Sequence, residues 1–121
     1  MILVDTSRWI DYLNSGNSLL TQLLEEDCVL MHTMVLGEIA LGNLKNRAYM
    51  LKIFGDIPQI KSASDEEILV IIEEYRLMGK GIGWVDAHLL TAIFNMEGTK
   101  LWTRDKRLYA LVKELNLTYD S

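Results

Sequence analysis

An α/β domain built on a parallel sheet is the fold class this sequence predicts, and three observations carry the prediction. Short apolar runs alternate with longer segments whose apolar residues recur at helical spacing, the pattern of strands joined by crossover helices. Half of the 121 residues are hydrophobic, enough to build a core without disulfides or a structural metal. A single proline, Pro58, and the absence of repeats, linkers or low-complexity tracts predict one folded domain over residues 1–121.

The elements follow in order. Residues 1–4 read as a short buried strand with Asp5 at its carboxyl end. Helices are expected over 7–13 and 17–25, separated by the breaker Asn14-Ser15-Gly16. The apolar run 28–31 is a second strand. Thr33 stands where a cap is needed for a helix reaching about residue 44, and another helix covers about 46–54. A short strand is expected near 58–61. Ser64-Asp65-Glu66-Glu67 has capping-box spacing and opens a helix to about residue 78, which Gly79 stops. A helix over about 85–96 ends at Gly98, and 99–103 is the next strand. A last helix over 105–115 and a closing strand over 117–119 bring the sheet to about five strands.

Composition narrows the setting. The lone Cys28 lies in an apolar run and has no partner for an internal disulfide, so a small buried hydrophobe in a reducing, cytoplasmic compartment is expected. No run reaches the roughly 18 apolar residues of a membrane span. The N-terminal apolar run stops at an acid and lacks a basic lead, so no signal peptide is expected. A net charge of −5 weighs against a nucleic-acid partner. Two facts reduce that weight. Carboxylates that bind divalent ions lose their charge locally, and Lys100, Arg104, Lys106, Arg107 and Lys113 gather in the last fifth of the chain.

Four acids stand out. Ligands of open parallel sheets bind outside the carboxyl ends of strands, where Asp5 and Asp105 are expected. Glu38 has Met34, Val35, Leu41 and Gly42 three or four residues away, and Asp86 has Ile82, Gly83, Leu89 and Leu90. Solvated acids usually sit among charged partners instead. Glu74 passes the same test with Val70, Ile71, Leu77 and Met78, so neighbour apolarity alone does not select the set. Singly, each acid also has a structural reading: Asp5, Asp86 and Asp105 as helix caps or dipole partners, Glu38 as a residue reaching solvent. Together they suggest one centre. Carboxylates within about 4–5 Å of each other repel, and a hard divalent cation such as Mg²⁺ or Mn²⁺ relieves that repulsion. No His/Cys set with zinc spacing is present. Hydrolysis of a phosphodiester uses such parts well.

At these residues the sequence resembles the PIN-domain ribonucleases, and more closely the VapC-type toxins of bacterial and archaeal toxin–antitoxin pairs. Four segments carry the resemblance: Ile2-Leu3-Val4-Asp5-Thr6-Ser7-Arg8-Trp9-Ile10, Thr33-Met34-Val35-Leu36-Gly37-Glu38-Ile39, Gly83-Trp84-Val85-Asp86-Ala87-His88-Leu89-Leu90 and Trp102-Thr103-Arg104-Asp105-Lys106-Arg107-Leu108. Their order spans almost the whole chain. The resemblance implies a three-layer α/β/α PIN-like fold in which Asp5, Glu38, Asp86 and Asp105 serve as catalytic residues on one Mg²⁺ or Mn²⁺ centre. It implies endoribonuclease activity leaving 5′-phosphate and 3′-hydroxyl ends on tRNA or another structured RNA, a homodimer, and a VapB-type antitoxin partner. Thr6 and Thr103 match the family's hydroxyl positions beside the acids. Ser7 fits a helix N-cap at least as well.

The remaining features are weighed beside these. Arg8, Lys80, Arg104, Lys106 and Arg107 are candidate RNA contacts, with a solvated arginine an equal reading for Arg8 and Arg104. Gly79-Lys80-Gly81-Ile82-Gly83 follows a helix and lacks phosphate-loop spacing, so it reads as a helix stop and loop. Trp9, Trp84 and Trp102 lie in apolar runs and are expected in packing rather than on RNA bases. His88 is expected to be structural. Tyr49, Met50, Ile53 and Phe54 form an apolar stripe, an antitoxin groove if exposed and core if buried. Two rivals stand against a ribonuclease: a non-catalytic interaction module of the same fold, and an aspartate-based phosphotransfer domain. A haloacid-dehalogenase-like phosphatase needs a second Asp two residues after the first, where Ser7 stands.

Overall fold

Three apolar runs pair in parallel in the computed structural model, which describes residues 1–120. They are β1 (Ile2–Val4), β2 (Val29–Leu30) and β3 (Lys100–Trp102), in the order β2-β1-β3. Ile2 stands opposite Val29 and Lys100, Leu3 opposite Leu30 and Leu101, and Val4 opposite Trp102. The central strand is wholly buried, which is why it is a continuous apolar run rather than an alternating one.

Five strands were expected and three are found among the described residues. The segments near 58–61 and 117–119 each contribute one isolated parallel bridge, Met31 with Gln59 and Leu101 with Thr118. Met31 N–H donates to Pro58 O at 2.9 Å, and Ile60 N–H donates to Met31 O at 2.9 Å. Pro58 has no N–H, and Gln59 and Lys61 on that edge are exposed, so the ladder stops after one bridge.

The helices are α1 (Thr6–Ser15), α2 (Ser18–Glu25), α3 (Thr33–Ala40), α4 (Arg47–Asp56), α5 (Asp65–Glu74), α6 (Trp84–Phe94) and α7 (Lys106–Glu114). Gly16 at φ 72° ends α1 and donates its N–H to Tyr12 O at 2.8 Å. Asn17 caps α2 through Leu20 N–H at 2.9 Å. The helix after β2 stops at Ala40, short of residue 44, because the Arg47 guanidinium takes the carbonyls of Ala40 and Gly42. Ser64 caps α5 through Glu67 N–H at 3.1 Å, but the Glu67 carboxylate does not return to the cap. It accepts instead from Asn95 Nδ2 at 2.6 Å, tying α5 to the end of α6. α5 ends at Glu74 rather than near 78, since Arg76 turns left-handed (φ 52°) and the chain folds back to bury Leu77.

His32, not Thr33, caps α3: Met34 N–H donates to His32 Nδ1 at 3.0 Å. The ring is only 1% exposed and faces that of His88, 6.1 Å between centroids. Burial, and then the neighbouring His88, lower the His32 pKa to about 4. The core gathers around the sheet. Trp9 is fully buried and meets Phe54 edge-on at 5.2 Å, and Trp102 meets Tyr119 at 5.4 Å. Trp84, expected in core or dimer packing, is not in the core: it is 43% exposed at the start of α6. From Ala87 to Ile93 that helix is buried residue after residue. Among the described residues no helix is long and apolar enough to cross a membrane.

His32 makes stability depend on pH with a defined sign. Unfolded, it titrates near its ordinary 6.5; folded, near 4. Between those values the unfolded chain holds the extra proton, so stability is fully present above about pH 6.5 and declines as pH falls toward 4. The loss attributable to His32 by pH 5 is on the order of 1–2 kcal/mol. Urea denaturation at pH 7 and pH 5 measures it. His32→Asn, which keeps a capping acceptor, should show a clearly smaller drop between the two; equal drops would refute the assignment.

Candidate active site

Asp5 leaves β1 at the capping position of α1, yet its side chain caps nothing. Its Oδ2 accepts from Ser7 Oγ at 2.8 Å and from Thr103 Oγ1 at 2.7 Å. The carboxylate is 7% exposed and Thr103 2%. Asp5 N–H donates to Trp102 O at 2.9 Å, so the end of β3 is drawn against the end of β1. The two hydroxyls also reach beyond Asp5: Arg104 N–H donates to Ser7 Oγ at 2.9 Å, and Asp105 N–H to Thr103 Oγ1 at 3.0 Å. Ser7 is thus a bridge between two strand ends, not the helix cap it resembled. Its position two residues after Asp5 was the available signal, and a helix start masks it.

The other three acids arrive on helices. Glu38 of α3 accepts from Thr6 Oγ1 of α1 at 2.7 Å. Thr6 therefore serves an acid 32 residues away rather than its neighbour Asp5. Asp86, in the first turn of α6, accepts at Oδ2 from Gly83 N–H at 3.1 Å. Asp105 caps α7, its Oδ1 accepting from Leu108 N–H at 2.9 Å. The capping reading is therefore true of Asp105, half true of Asp86 and absent from Asp5. In all four, these donors occupy one carboxylate oxygen, and among the described residues no donor reaches the other.

Electrostatics joins the set. Asp86 holds its proton more tightly than an ordinary carboxyl, first because burial disfavours the anion, then through repulsion by Asp5, Asp105 and Glu38. The Gly83 N–H opposes the shift without cancelling it. Glu74 is not among the charges acting on Asp86. It is itself exposed on α5, beside Val70 and Met78, which are 62% and 52% exposed, while its other neighbours Ile71 and Leu77 pack toward the core. Glu38 itself is more open than its neighbours suggested, since Leu41 is 90% exposed.

Among the described residues no three His, Cys, Asp or Glu side chains stand close enough to cage a metal ion by themselves. The free carboxylate oxygens are of the kind a hard divalent cation that keeps its waters would take, were one bound. His88 adds no ligand to them: it is 4% exposed and packs against His32 and Trp84.

The basic candidates divide. The Arg8 guanidinium lies 5.0 Å over the Trp102 ring, and burial followed by repulsion from Arg104 lowers its pKa. Arg104 is ion-paired with Asp11. Lys80, Lys106 and Arg107 instead line one groove along α7.

A parallel α/β domain with acidic residues at and around its strand ends has the design of a nuclease. No family model matches the chain. Over 114 residues it is 41% identical to the protein named Ribonuclease VapC32 of Mycobacterium tuberculosis, in both the CDC 1551 / Oshkosh and the ATCC 25618 / H37Rv strains. The overlap covers 94% of this chain and 92% of that protein. The chain belongs to the VapC-type PIN-domain ribonuclease family.

The Thr103 hydroxyl has a measurable role. Thr103→Val keeps the branched shape but leaves Asp105 N–H without its acceptor and Asp5 with a single donor. We expect a loss of about 1–3 kcal/mol in urea denaturation, with Thr103→Ser close to wild type. A Val variant as stable as wild type would show that the bridge contributes nothing.

Proposed function

We propose that the chain is the toxin of a type II toxin–antitoxin pair, an endoribonuclease dependent on Mg²⁺ or Mn²⁺. Asp5, Glu38, Asp86 and Asp105 form its acidic centre within a single domain, and tRNA or another structured RNA is its substrate. The observation that carries this reading is the position of Asp86, which feels the charge of the other three acids while each keeps one oxygen free. Membership of the VapC family supports it.

When bound, a divalent cation supplies a water of lowered pKa and neutralises charge on phosphoryl oxygens. The chain's own residues hold that chemistry in place. Ser7 and Thr103 pin Asp5 Oδ2 and so aim Oδ1 away from them; Thr6 and the Gly83 N–H do the same for Glu38 and Asp86. The raised proton affinity of Asp86 falls once a cation offsets the neighbouring charges. Exposed apolar side chains suit the partners of such a toxin. Tyr49 and Ile53 of α4 are 66% and 40% exposed, so that stripe is split between surface and the buried Phe54. Its outer half fits an antitoxin helix. Leu69 and Val70 of α5 are likewise exposed and suit the homodimer contact.

Two results test the reading. RNA cleavage should require Mg²⁺ or Mn²⁺, stop on addition of EDTA, and vanish in Asp5→Asn while the circular dichroism spectrum stays native. Full activity of folded Asp5→Asn would sink it. Asp86→Asn should also abolish cleavage yet raise the thermal midpoint by about 2–6 °C without divalent ions, because one of four repelling charges is gone. A lowered midpoint would mean that the four carboxylates do not repel one another as argued.

A further inference from the structure

Three cations that the acidic centre does not use share one groove. Lys80, Lys106 and Arg107 line a concavity of about 360 Å³ with Ala110, Leu111 and Glu114. One wall is Lys80 of the loop 79–83 and the other runs along α7 from Lys106 to Glu114. Gly81 permits their approach. Its φ is +76°, and a Cβ there would stand 2.6 Å from Arg107 Cδ and 2.7 Å from Arg107 Nη1. The Arg107 side chain therefore lies directly against the loop backbone.

These charges are not spent inside the protein. Among the described residues the arginine–carboxylate ion pair is Arg104 with Asp11, and none of Lys80, Lys106 or Arg107 has a carboxylate within ion-pair distance. Glu114 is the one acid lining the groove and lies two helical turns beyond Arg107. Both walls also begin at the acids. Gly83 of the loop donates its N–H to Asp86, and Lys106 directly follows Asp105. A polyanion with one phosphate at the four acids would meet the groove through Lys106, the residue next to Asp105.

We propose that this groove is the subsite that grips the RNA backbone next to the cleaved bond, with Lys80, Lys106 and Arg107 as its contacts and Gly81 as the opening that seats Arg107. Arg8 and Arg104 lie outside it, engaged with Trp102 and Asp11. The proposal rests on the ribonuclease reading above and assigns to that site the part that holds substrate rather than reacts with it. A repeating phosphate backbone fits better than an acidic protein segment, because the groove continues from the point where the reacting diester would lie.

The test uses the full chain carrying Asp5→Asn to prevent cleavage, a single-stranded RNA oligonucleotide, and fluorescence anisotropy across a salt series. Lys80→Ala and Arg107→Ala should each weaken binding about 3–10-fold and lower the slope of log K against log salt by about 0.7. Gly81→Ala should weaken binding by displacing Arg107, while Lys52→Ala on α4 should change neither quantity. Parental slopes in both Lys80→Ala and Arg107→Ala would overturn the subsite. Unchanged RNA binding with weakened capture of an acidic antitoxin would overturn it in favour of a protein-docking surface. Manganese-dependent hydrolysis of bis-p-nitrophenyl phosphate by the unmodified chain separates the two ideas, since that diester is too small to reach the groove. Hydrolysis alongside unchanged RNA slopes removes the subsite and leaves the ribonuclease standing. No hydrolysis and no RNA cleavage remove both.

Discussion

A carboxylate cannot be taken out of water without hydrogen-bond donors to replace it, and Asp5 is taken almost wholly out of water. Its donors come from Ser7, two residues on, and from Thr103, 98 residues away in sequence. That second bond needs β3 to lie beside β1 in parallel and in one register, with Val4 opposite Trp102. The next residue on each strand is then Asp5 and Thr103. Sheet topology and site geometry thus answer a single requirement. A slip of one residue would orphan a buried charge, at a cost of several kcal/mol.

The site is organised by a second, opposing constraint. Four like charges in one field destabilise each other, and the protein does not relieve this with arginine. Arg8 and Arg104, the nearest in sequence to two of the acids, are turned to Trp102 and Asp11. The acids are instead steadied by neutral donors: hydroxyls for Asp5 and Glu38, backbone N–H groups for Asp86 and Asp105. Neutral donors orient a carboxylate without cancelling its charge. The unpaired cations lie one step outward, on the loop before α6 and on α7. This separation reconciles a net charge of −5 with a polyanionic substrate.

Much of this was legible before any coordinates. Ile2-Leu3-Val4-Asp5 announces a buried parallel strand ending in an acid, because burial on both faces removes alternation. The breaker at Gly16 and the Ser64 cap act through local geometry and stand where they were read, whereas α6 ends at Phe94, before the left-handed Gly98. The misreadings all concern what packing decides. His32 caps α3 although Thr33 is the better cap by type, because His32 occupies the extended residue before the first turn. α5 stops early so that Leu77 can bury. Pro58 reduces a strand to a bridge. Glu74 matched Glu38 and Asp86 in its neighbours, yet Val70 and Met78 face solvent and Glu74 is exposed beside them.

The sequence by itself determined the alternation of strands and helices, the acids at element ends and, through four ordered segments, the family. These are properties of residues close together in the chain, or of motif order, and need no partner from elsewhere. Only the tertiary structure decided that Ser7 bridges rather than caps, that Thr6 serves Glu38, and that Glu74 stands apart. It alone separated five basic candidates into two engaged arginines and three free cations sharing a groove. Each of those outcomes is a contact between segments distant in sequence, and such contacts exist only once the chain has chosen which strands lie side by side.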